Sequence, residues 1–358
     1  MDGLSAPIHI DEYAGEGNTF QPVQSIDLPA NVRSSSGAIF NTANPYEGYL
    51  TLSGNRRFLT VQGYDTILAG RAIFDLTNTP PYLVTGRIIA EIDQKGRVDL
   101  STWLPDIMHA GNYRSAIPEG VISDDGTNLW MGSNQGLKGI ACTSLSGSKI
   151  TVVSSSHESI KSFEIFGGDL FAVAGYHKKV ILVGSLGGLP LIPAGNISTS
   201  LQFNTKGVVA DVLSFKPSQI VLFDLDAGIP GPDVMYISNA SAVPASDQYG
   251  IYKYYKDTNN VWEPAGGYDY APKDSCYFGI TGVINNAGNP VLYATSGISR
   301  TPSAENNHLK EIVDLATTPA SYKAIMKPQL VRDLSNKNSK LGGLIRGIAF
   351  VPQVDDSR

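Results

Sequence analysis

The chain has 358 residues, with 27 Lys and Arg against 33 Asp and Glu and a formal net charge of −6. The basic residues are not clustered, which argues against nucleic acid or an anionic membrane surface as a partner, and no apolar run approaches the roughly 20 residues of a membrane span. Thirty-seven glycines, 21 prolines and 17% charged residues fit many short strands joined by many turns, and no stretch keeps a helical period.

The first residues, MDGLSAPIHI, show neither a basic n-region nor an apolar h-region, so no signal peptide is visible. Two sequons, Asn196-Ile197-Ser198 and Asn239-Ala240-Ser241, nevertheless point to a secreted chain glycosylated at Asn196 and Asn239. Residues 8–14 (IHIDEYA) and 20–28 (FQPVQSIDL) read as two strands with no inner partner before them. Residues 49–65 (YLTLSGNRRFLTVQGYD) then give a hairpin: Leu50 and Leu52 alternate with Thr51 and Ser53, Gly54-Asn55-Arg56 turns the chain, and Phe58, Leu59 and Val61 carry the return strand. A long insertion, residues 66–84, separates this pair from strands at 88–93 and 98–103.

The same pattern recurs four times. Val121-Ile122, Asp124-Asp125-Gly126 and residues 129–132 form one pair. Residues 160–166, Gly167-Gly168 and residues 170–175 form the next. Residues 220–223 and 234–238 flank a longer turn, and residues 278–284 and 291–297 flank Asn285 to Asn289. Each pair is followed by one or two further strands. Units that cannot bury their apolar faces alone stack or close into a ring. The units span about residues 37–108, 113–155, 160–203, 220–267 and 277–332. Residues 344–351 (LIRGIAFV) supply an inner-type strand to the first two strands of the chain. The expected fold is therefore a single all-β domain, a six-bladed β-propeller closed by pairing its N- and C-terminal strands. Seven blades is the alternative, since residues 204–215 could hold a further strand pair. Cys142 and Cys276 fall in units across the ring from one another and are expected to be unpaired.

No GxSxG, HExxH, P-loop or CxxC pair is present. Asp224-Leu225-Asp226 and Asp124-Asp125-Gly126 lack calcium-loop spacing, so no metal site is expected. Function in such a ring is read from the loops that lead into inner strands and those that join second to third strands. On this phasing they carry Arg33, Tyr46, Asp65, Phe74 and Tyr82, then His109, Asn112, Tyr113, Arg114 and Asn134. His157, Lys161, Tyr176 and His177 follow, and Tyr268, Tyr270, Lys273, Tyr277 and Phe278 come last. The set is aromatic with a few donors, which predicts an apolar well. Its members have plainer roles too: Arg114 as a tie between blades, His109 and His157 as solvated loop residues, and the aromatics from Tyr249 to Trp262 as packing between blades.

The ordered motifs IDEY…QSI…LP, LTLS…RFLTV.GYD, RIIAEIDQKGRVDLST, NYRSA…DDG.NLWMG, FEIFGGDLF, FGITG and RGIAFVP cover nearly the whole chain. Together they resemble a family of secreted propeller proteins. Within it, the chain resembles the fungal hetero-Diels–Alderases of tropolonic sesquiterpenoid secondary metabolism. Only MDGLSAP precedes the IDEY segment here, one apolar strand fewer than that family usually has. The resemblance implies a pericyclase with no cofactor, which assists loss of water from a tropolone carbinol and guides the o-quinone methide onto a humulene-type alkene. It implies a small apolar, aromatic substrate, and neither nucleic acid nor membrane as partner. Such a reaction needs a proton donor, hydrogen bonds to the quinone-methide oxygens and walls that hold the two reactants together. Arg114, His109, His157 and Tyr277 are the catalytic candidates. Tyr46, Asp65, Phe74, Asn112, Tyr113, Asn134, Tyr176, Tyr268, Tyr270, Lys273 and Phe278 are the substrate-binding candidates. Two other readings stand beside this one: a propeller lyase or hydrolase acting on a secreted polymer, and a non-catalytic binding propeller.

Overall fold

The computed structural model describes residues 5–14, 21–30, 39–42, 47–65, 86–104, 117–134, 139–154, 159–175, 179–183, 188–191, 198–203, 216–240, 249–269, 276–297, 308–315, 328–333 and 346–353. Every element among them is a β-strand. The chain opens with β1 (Ser5–Pro7), β2 (His9–Ala14), β3 (Gln21–Asp27) and β4 (Ile39–Thr42). A first meander follows: β5 (Thr51–Leu52), β6 (Phe58–Asp65), β7 (Arg87–Asp93) and β8 (Val98–Leu104). The second is β9 (Ile117–Ser123), β10 (Asn128–Asn134), β11 (Ile140–Ser144) and β12 (Thr151–Ser154). The third is β13 (Ile160–Phe166), β14 (Asp169–Ala174), β15 (Lys179–Val183) and β16 (Ser198–Ser200), after which comes β17 (Gln202–Phe203). The fourth is β18 (Pro217–Phe223), β19 (Val234–Asn239), β20 (Tyr249–Lys256) and β21 (Val261–Asp269). The fifth is β22 (Cys276–Ile284), β23 (Pro290–Gly297), β24 (His308–Asp314) and β25 (Pro328–Asp333).

The second to fifth meanders are separate sheets in a propeller-like arrangement, each an antiparallel run in chain order. Alternation along the strands builds this arrangement, because successive side chains leave a strand on opposite faces. Val121, Met131 and Ala141 enter a core shared with Ile89 and Leu104 of the first meander. Their neighbours Ile122, Trp130 and Cys142 enter a different core, with Ile160, Phe163 and Leu170 of the third. Phe171 and Val173 then meet Ile220, Met235, Tyr252, Tyr254 and Trp262 of the fourth. Val221, Phe223 and Tyr236 meet Tyr277, Ile280 and Leu292 of the fifth. The second, third and fourth sheets thus bury both faces, and the aromatics between Tyr249 and Trp262 are packing residues.

Three hairpin turns share one device. Asp93 at the end of β7, Asp257 just after β20 and Asn285 just after β22 each accept two backbone N–H groups on one side-chain oxygen, from the residues two and four positions on. The residue three positions on takes a positive φ, namely Gly96 (71°), Asn260 (60°) and Gly288 (80°). This is a type I turn followed by a left-handed residue, and Asx with Gly or Asn at that spacing is its sequence signature.

Three details differ from the sequence reading. β17 does not complete the third sheet; it pairs in parallel with β21 of the fourth. β1 leaves the first hairpin and pairs with β4, which borders β6 beside β5. Residues 346–353 form no strand, and β2 and β3 make a two-stranded sheet of their own. The last segment still sits at the seam between chain ends. Gly347 N–H donates to Gly48 O (3.1 Å), Thr295 Oγ1 donates to Arg346 O (2.6 Å), and Ala349 packs in one core with Ile8, Ile10, Ile26 and Leu28. Cys142 and Cys276 are buried free thiols in separate cores, as their positions in different units lead one to expect.

Glu91, on β7 at the seam of the first two sheets, is 4% exposed, and its Oε2 has no hydrogen-bond partner among the described residues. Burial, and then the nearby Asp99, push its carboxyl up to about 7 against a Ser123 hydrogen bond that opposes them. A raised carboxyl pKa penalises the folded state as pH climbs from 4.5 to 7, and the penalty is complete above that window. Glu91→Gln is expected to stabilise the fold by roughly 2–3 kcal/mol at pH 8 and by almost nothing at pH 4.5. Urea unfolding at the two pH values measures this, and equal gains at both would contradict it.

Candidate functional site

The hairpin turns occupy one end of the ring of inner strands. The opposite end gathers the starts of β9, β13, β18 and β22, the end of β6 and the start of β7, where the sequence analysis placed the ligand-binding rim. The described residues there are Glu47, Tyr49, Tyr64, Arg87, Glu119, Ser159, Lys161, Ser218 and Arg346, all buried. The inner strands approach closely because small residues permit it. A β-carbon on Gly120 would lie 2.8 Å from Lys161 O, and one on Gly132 2.3 Å from Ile160 Cβ. Polar side chains then stitch sheet to sheet. Gln62 Nε2 donates to Gly120 O (2.8 Å) and Gly132 O (2.7 Å), and Ser162 Oγ donates to Ser218 O (2.8 Å). Ser218 Oγ lies 2.9 Å from the Tyr49 hydroxyl, so Tyr49 reaches across the hub from the first sheet to the fourth.

Two charged groupings stand at this end. In one, Lys161 Nζ bonds Glu119 Oε1 within a pair 7% and 0% exposed, and Ser159 Oγ donates to Glu119 Oε2 (3.2 Å). Burial pushes Glu119 up and Lys161 down, and the contact between them opposes both shifts. The Lys161 stem runs beneath Gly175, whose missing side chain leaves it room. Ser159 has a φ of 61°, a left-handed conformation unusual for a serine. In the other grouping, the Tyr64 hydroxyl donates to Glu47 Oε1 (3.0 Å) and the Arg87 guanidinium lies over the Tyr64 ring at 4.5 Å. Burial and then Glu47 raise Tyr64 well above its ordinary value, so it remains a donor. Arg346 lies over the Phe278 ring at 4.6 Å, and burial lowers it to about 10 against the pull of Tyr49 and Glu47. Among the described residues this end holds the buried cations Arg87, Lys161 and Arg346 and the buried carboxylates Glu47 and Glu119, with Asp65 at the end of β6. The arrangement offers a paired acid and base and hydroxyl donors.

The structure redistributes the predicted residues. Tyr277 is not on the rim: it is fully buried in the core between the fourth and fifth sheets, edge-to-face with Tyr268 at 6.2 Å. Phe278 is also fully buried, beside Ala240 and Cys276. The strand begins at Cys276, so both are strand residues with packing roles. Asp65 ends β6 at the expected end, and its N–H donates to Gly86 O (3.1 Å). Asn134 ends β10 there too. Lys161 is at the rim end as expected. Asn239 is fully buried, accepts Lys216 N–H (3.0 Å) and donates to Tyr249 O (3.0 Å), so its carboxamide is engaged inside the sheet and has no room for a sugar. Arg33, Tyr46, Phe74, Tyr82, His109, Asn112, Tyr113, Arg114, His157, Tyr176, His177, Asn196, Tyr270 and Lys273 lie outside the described residues. The aromatic residues expected to line an apolar well fall mostly outside the described residues; the described residues at this end are mainly polar and charged. Sequence reasoning missed Glu47, Arg87, Glu119 and Arg346. For Arg87 and Glu119 the signal was a charged residue near the rim end of a strand with an apolar stretch beside it, as in RIIAEID and IPEGVIS; Glu47 and Arg346 lie outside the strands.

Fold and site together define an all-β protein of propeller-like arrangement with a charged, buried hub end. No protein-family model matches the chain, and no curated protein matches it. Among solved structures it is similar to the periplasmic gluconolactonase PpgL of Pseudomonas aeruginosa, with 14% identity over 92% of this chain and 83% of that one and a TM-score of 0.44. A Bacteroides fragilis protein provisionally assigned as a 6-phosphogluconolactonase shares 11% identity over 92% and 82%, with a TM-score of 0.47. Hsv2 of Kluyveromyces marxianus shares 7% over 92% of each chain, with a TM-score of 0.37. At these values the likeness assigns no activity to this chain.

Proposed function

We propose that the chain is a cofactor-independent enzyme acting on a small oxygenated molecule at the rim end of the hub, and that its reaction is the hetero-Diels–Alder coupling its motifs suggest. In this reading the ring has six blades, the last built from the β2–β3 hairpin and residues 346–351. The supporting observation is the Lys161–Glu119 pair, in which burial drives both partners toward neutrality. A hydrogen-bonded pair whose charged forms are both disfavoured by burial has the composition of a general acid and base. Lys161 gives a proton to the carbinol hydroxyl, which departs as water, and Glu119 accepts the tropolone O–H proton. The net change is loss of one water to the o-quinone methide. The alkene then adds across its oxygen and terminal carbon, forming two σ bonds, and orientation in the site sets the stereochemistry.

The test incubates the purified chain with the tropolone carbinol and a humulene-type alkene. Expected are a single stereoisomer and a yield above buffer, both lost in Lys161→Met; yield and stereochemistry equal to buffer would remove the reading. A second reading, a hydrolase for small cyclic esters, is favoured by Ser159, whose hydroxyl is aimed at Glu119 from a left-handed backbone. It predicts lactone hydrolysis that Ser159→Ala abolishes. Burial of Ser159 fits a small ester better than a polymer chain.

A further inference from the structure

Arg87 is fully buried, and none of its three guanidinium nitrogens has a hydrogen-bond partner among the described residues. A guanidinium carries five N–H donors, and leaving them unmet in the interior is costly. Native structures keep few such groups, and each calls for an explanation such as a bound ion or a working site. No described residue accepts a hydrogen bond from it. Glu47 acts on it through space, but Glu47 Oε1 is occupied by the Tyr64 hydroxyl, and no ion pair joins Glu47 to Arg87 among the described residues. Tyr64 covers one face of the guanidinium. Stacking of that kind fixes the plane of the fork and leaves its edge, where all the donors point, open to a coplanar acceptor.

We infer that Arg87 is the binding residue for a small monoanion presenting two coplanar oxygens, either a carboxylate or the vicinal oxygen pair of a tropolonate. The anion site uses residues other than the Lys161–Glu119 pair, although Glu119 acts on Tyr64 through space, and a tropolone held there would anchor the proposed substrate. Arg87 grips both oxygens with its fork while Tyr64 supports the opposite face. A tetrahedral phosphate or a neutral amide fits the fork less well.

The full chain is titrated with sodium benzoate, tropolone and benzamide, by calorimetry and by melting temperature. Benzoate and tropolone are expected to compete for one site and to raise the melting temperature by a few degrees at about 100-fold excess over Kd, and benzamide to do neither. Arg87→Met is expected to weaken benzoate at least about 100-fold without lowering the anion-free melting temperature, since it removes no hydrogen bond and relieves an unmet charge. Arg87→Lys keeps the charge, loses the fork and falls between the two; it also serves if the methionine variant does not fold. Binding of benzoate without tropolone would keep the anion site and remove the tropolone reaction. The inference is overturned if neither anion binds wild type, if Arg87→Met binds benzoate within about threefold of wild type, or if that variant, free of anion, melts more than about 5 °C lower.

Discussion

In the Lys161→Met variant the unfolding free energy falls by about 3–5 kcal/mol at pH 8 and by far less at pH 5. Methionine fills the channel beneath Gly175 that the lysine stem occupies, so little packing is lost. What is lost is the charge partner of Glu119, a carboxylate with no exposed surface. Breaking a buried pair from one side leaves its other member desolvated, and this outweighs the net worth of the pair itself. Burial already drives the Glu119 carboxyl upward with Lys161 in place. Without the ammonium it rises further, so the folded protein takes up a proton that the unfolded chain does not hold. A carboxyl raised in this way penalises folding above its folded pKa, and the penalty vanishes below the unfolded value near 4.5. The deficit must therefore shrink on acidification. Replacing both residues, as Glu119→Gln with Lys161→Met, returns most of the stability because no charge remains to be stranded. Denaturant unfolding of the wild type, both singles and the double at two pH values gives the whole cycle. A single-variant loss under about 1 kcal/mol, or one equal at both pH values, would show that the pair is not isolated from water.

The repeat was legible in the sequence because hairpins are local. Asp124-Asp125-Gly126, Gly167-Gly168 and Asn285 to Asn289 each encode their own turn, and each flanking run alternates. The polar hub was not legible, because it is assembled from single residues far apart in the chain. Lys161 meets Glu119 across 42 positions and Ser218 meets Tyr49 across 169. In the chain each of these residues stands beside apolar neighbours, and nothing local marks its distant partner. Tyr277 and Phe278 misled in the opposite sense. They follow a Pro- and Gly-containing stretch, which suggests a loop, yet β22 has begun one residue earlier and alternation sends them into two different cores. The boundary error is small, but it reverses the role assigned to both. The order of strands put Lys161 at the entry to the third unit, and it lies at the start of β13, at the end of the strands opposite the hairpin turns.

The seam between chain ends is the other place where one atom group decides the outcome. Gly347→Ala is expected to destabilise the protein by about 3 kcal/mol or more, at the upper end of overpacking effects. A β-carbon on Gly347 would lie 2.1 Å from Leu50 N and 2.8 Å from Gly48 O, and backbone cannot swing aside as a flexible side chain does. Residues 346–353 are not held by a strand ladder. They depend on scattered bonds: Gly347 N–H to Gly48 O, Gln353 N–H to Arg56 O (2.8 Å), Gln219 Nε2 to Ile348 O (3.5 Å) and Thr295 Oγ1 to Arg346 O. Displacing Gly347 breaks the first of these and pulls on the rest. It also draws Ala349 out of the core that holds Ile8, Ile10 and Ile26. Hydrogen exchange should then lose protection at the N–H groups of Gly347 and Gln353 and in the β2–β3 hairpin, while β13 and β14, on the far side, keep theirs. Exchange that rises equally in every sheet would mean that the seam is no weaker than the rest of the ring. Unchanged exchange at Gly347 would mean that the last segment does not lie where the structure puts it.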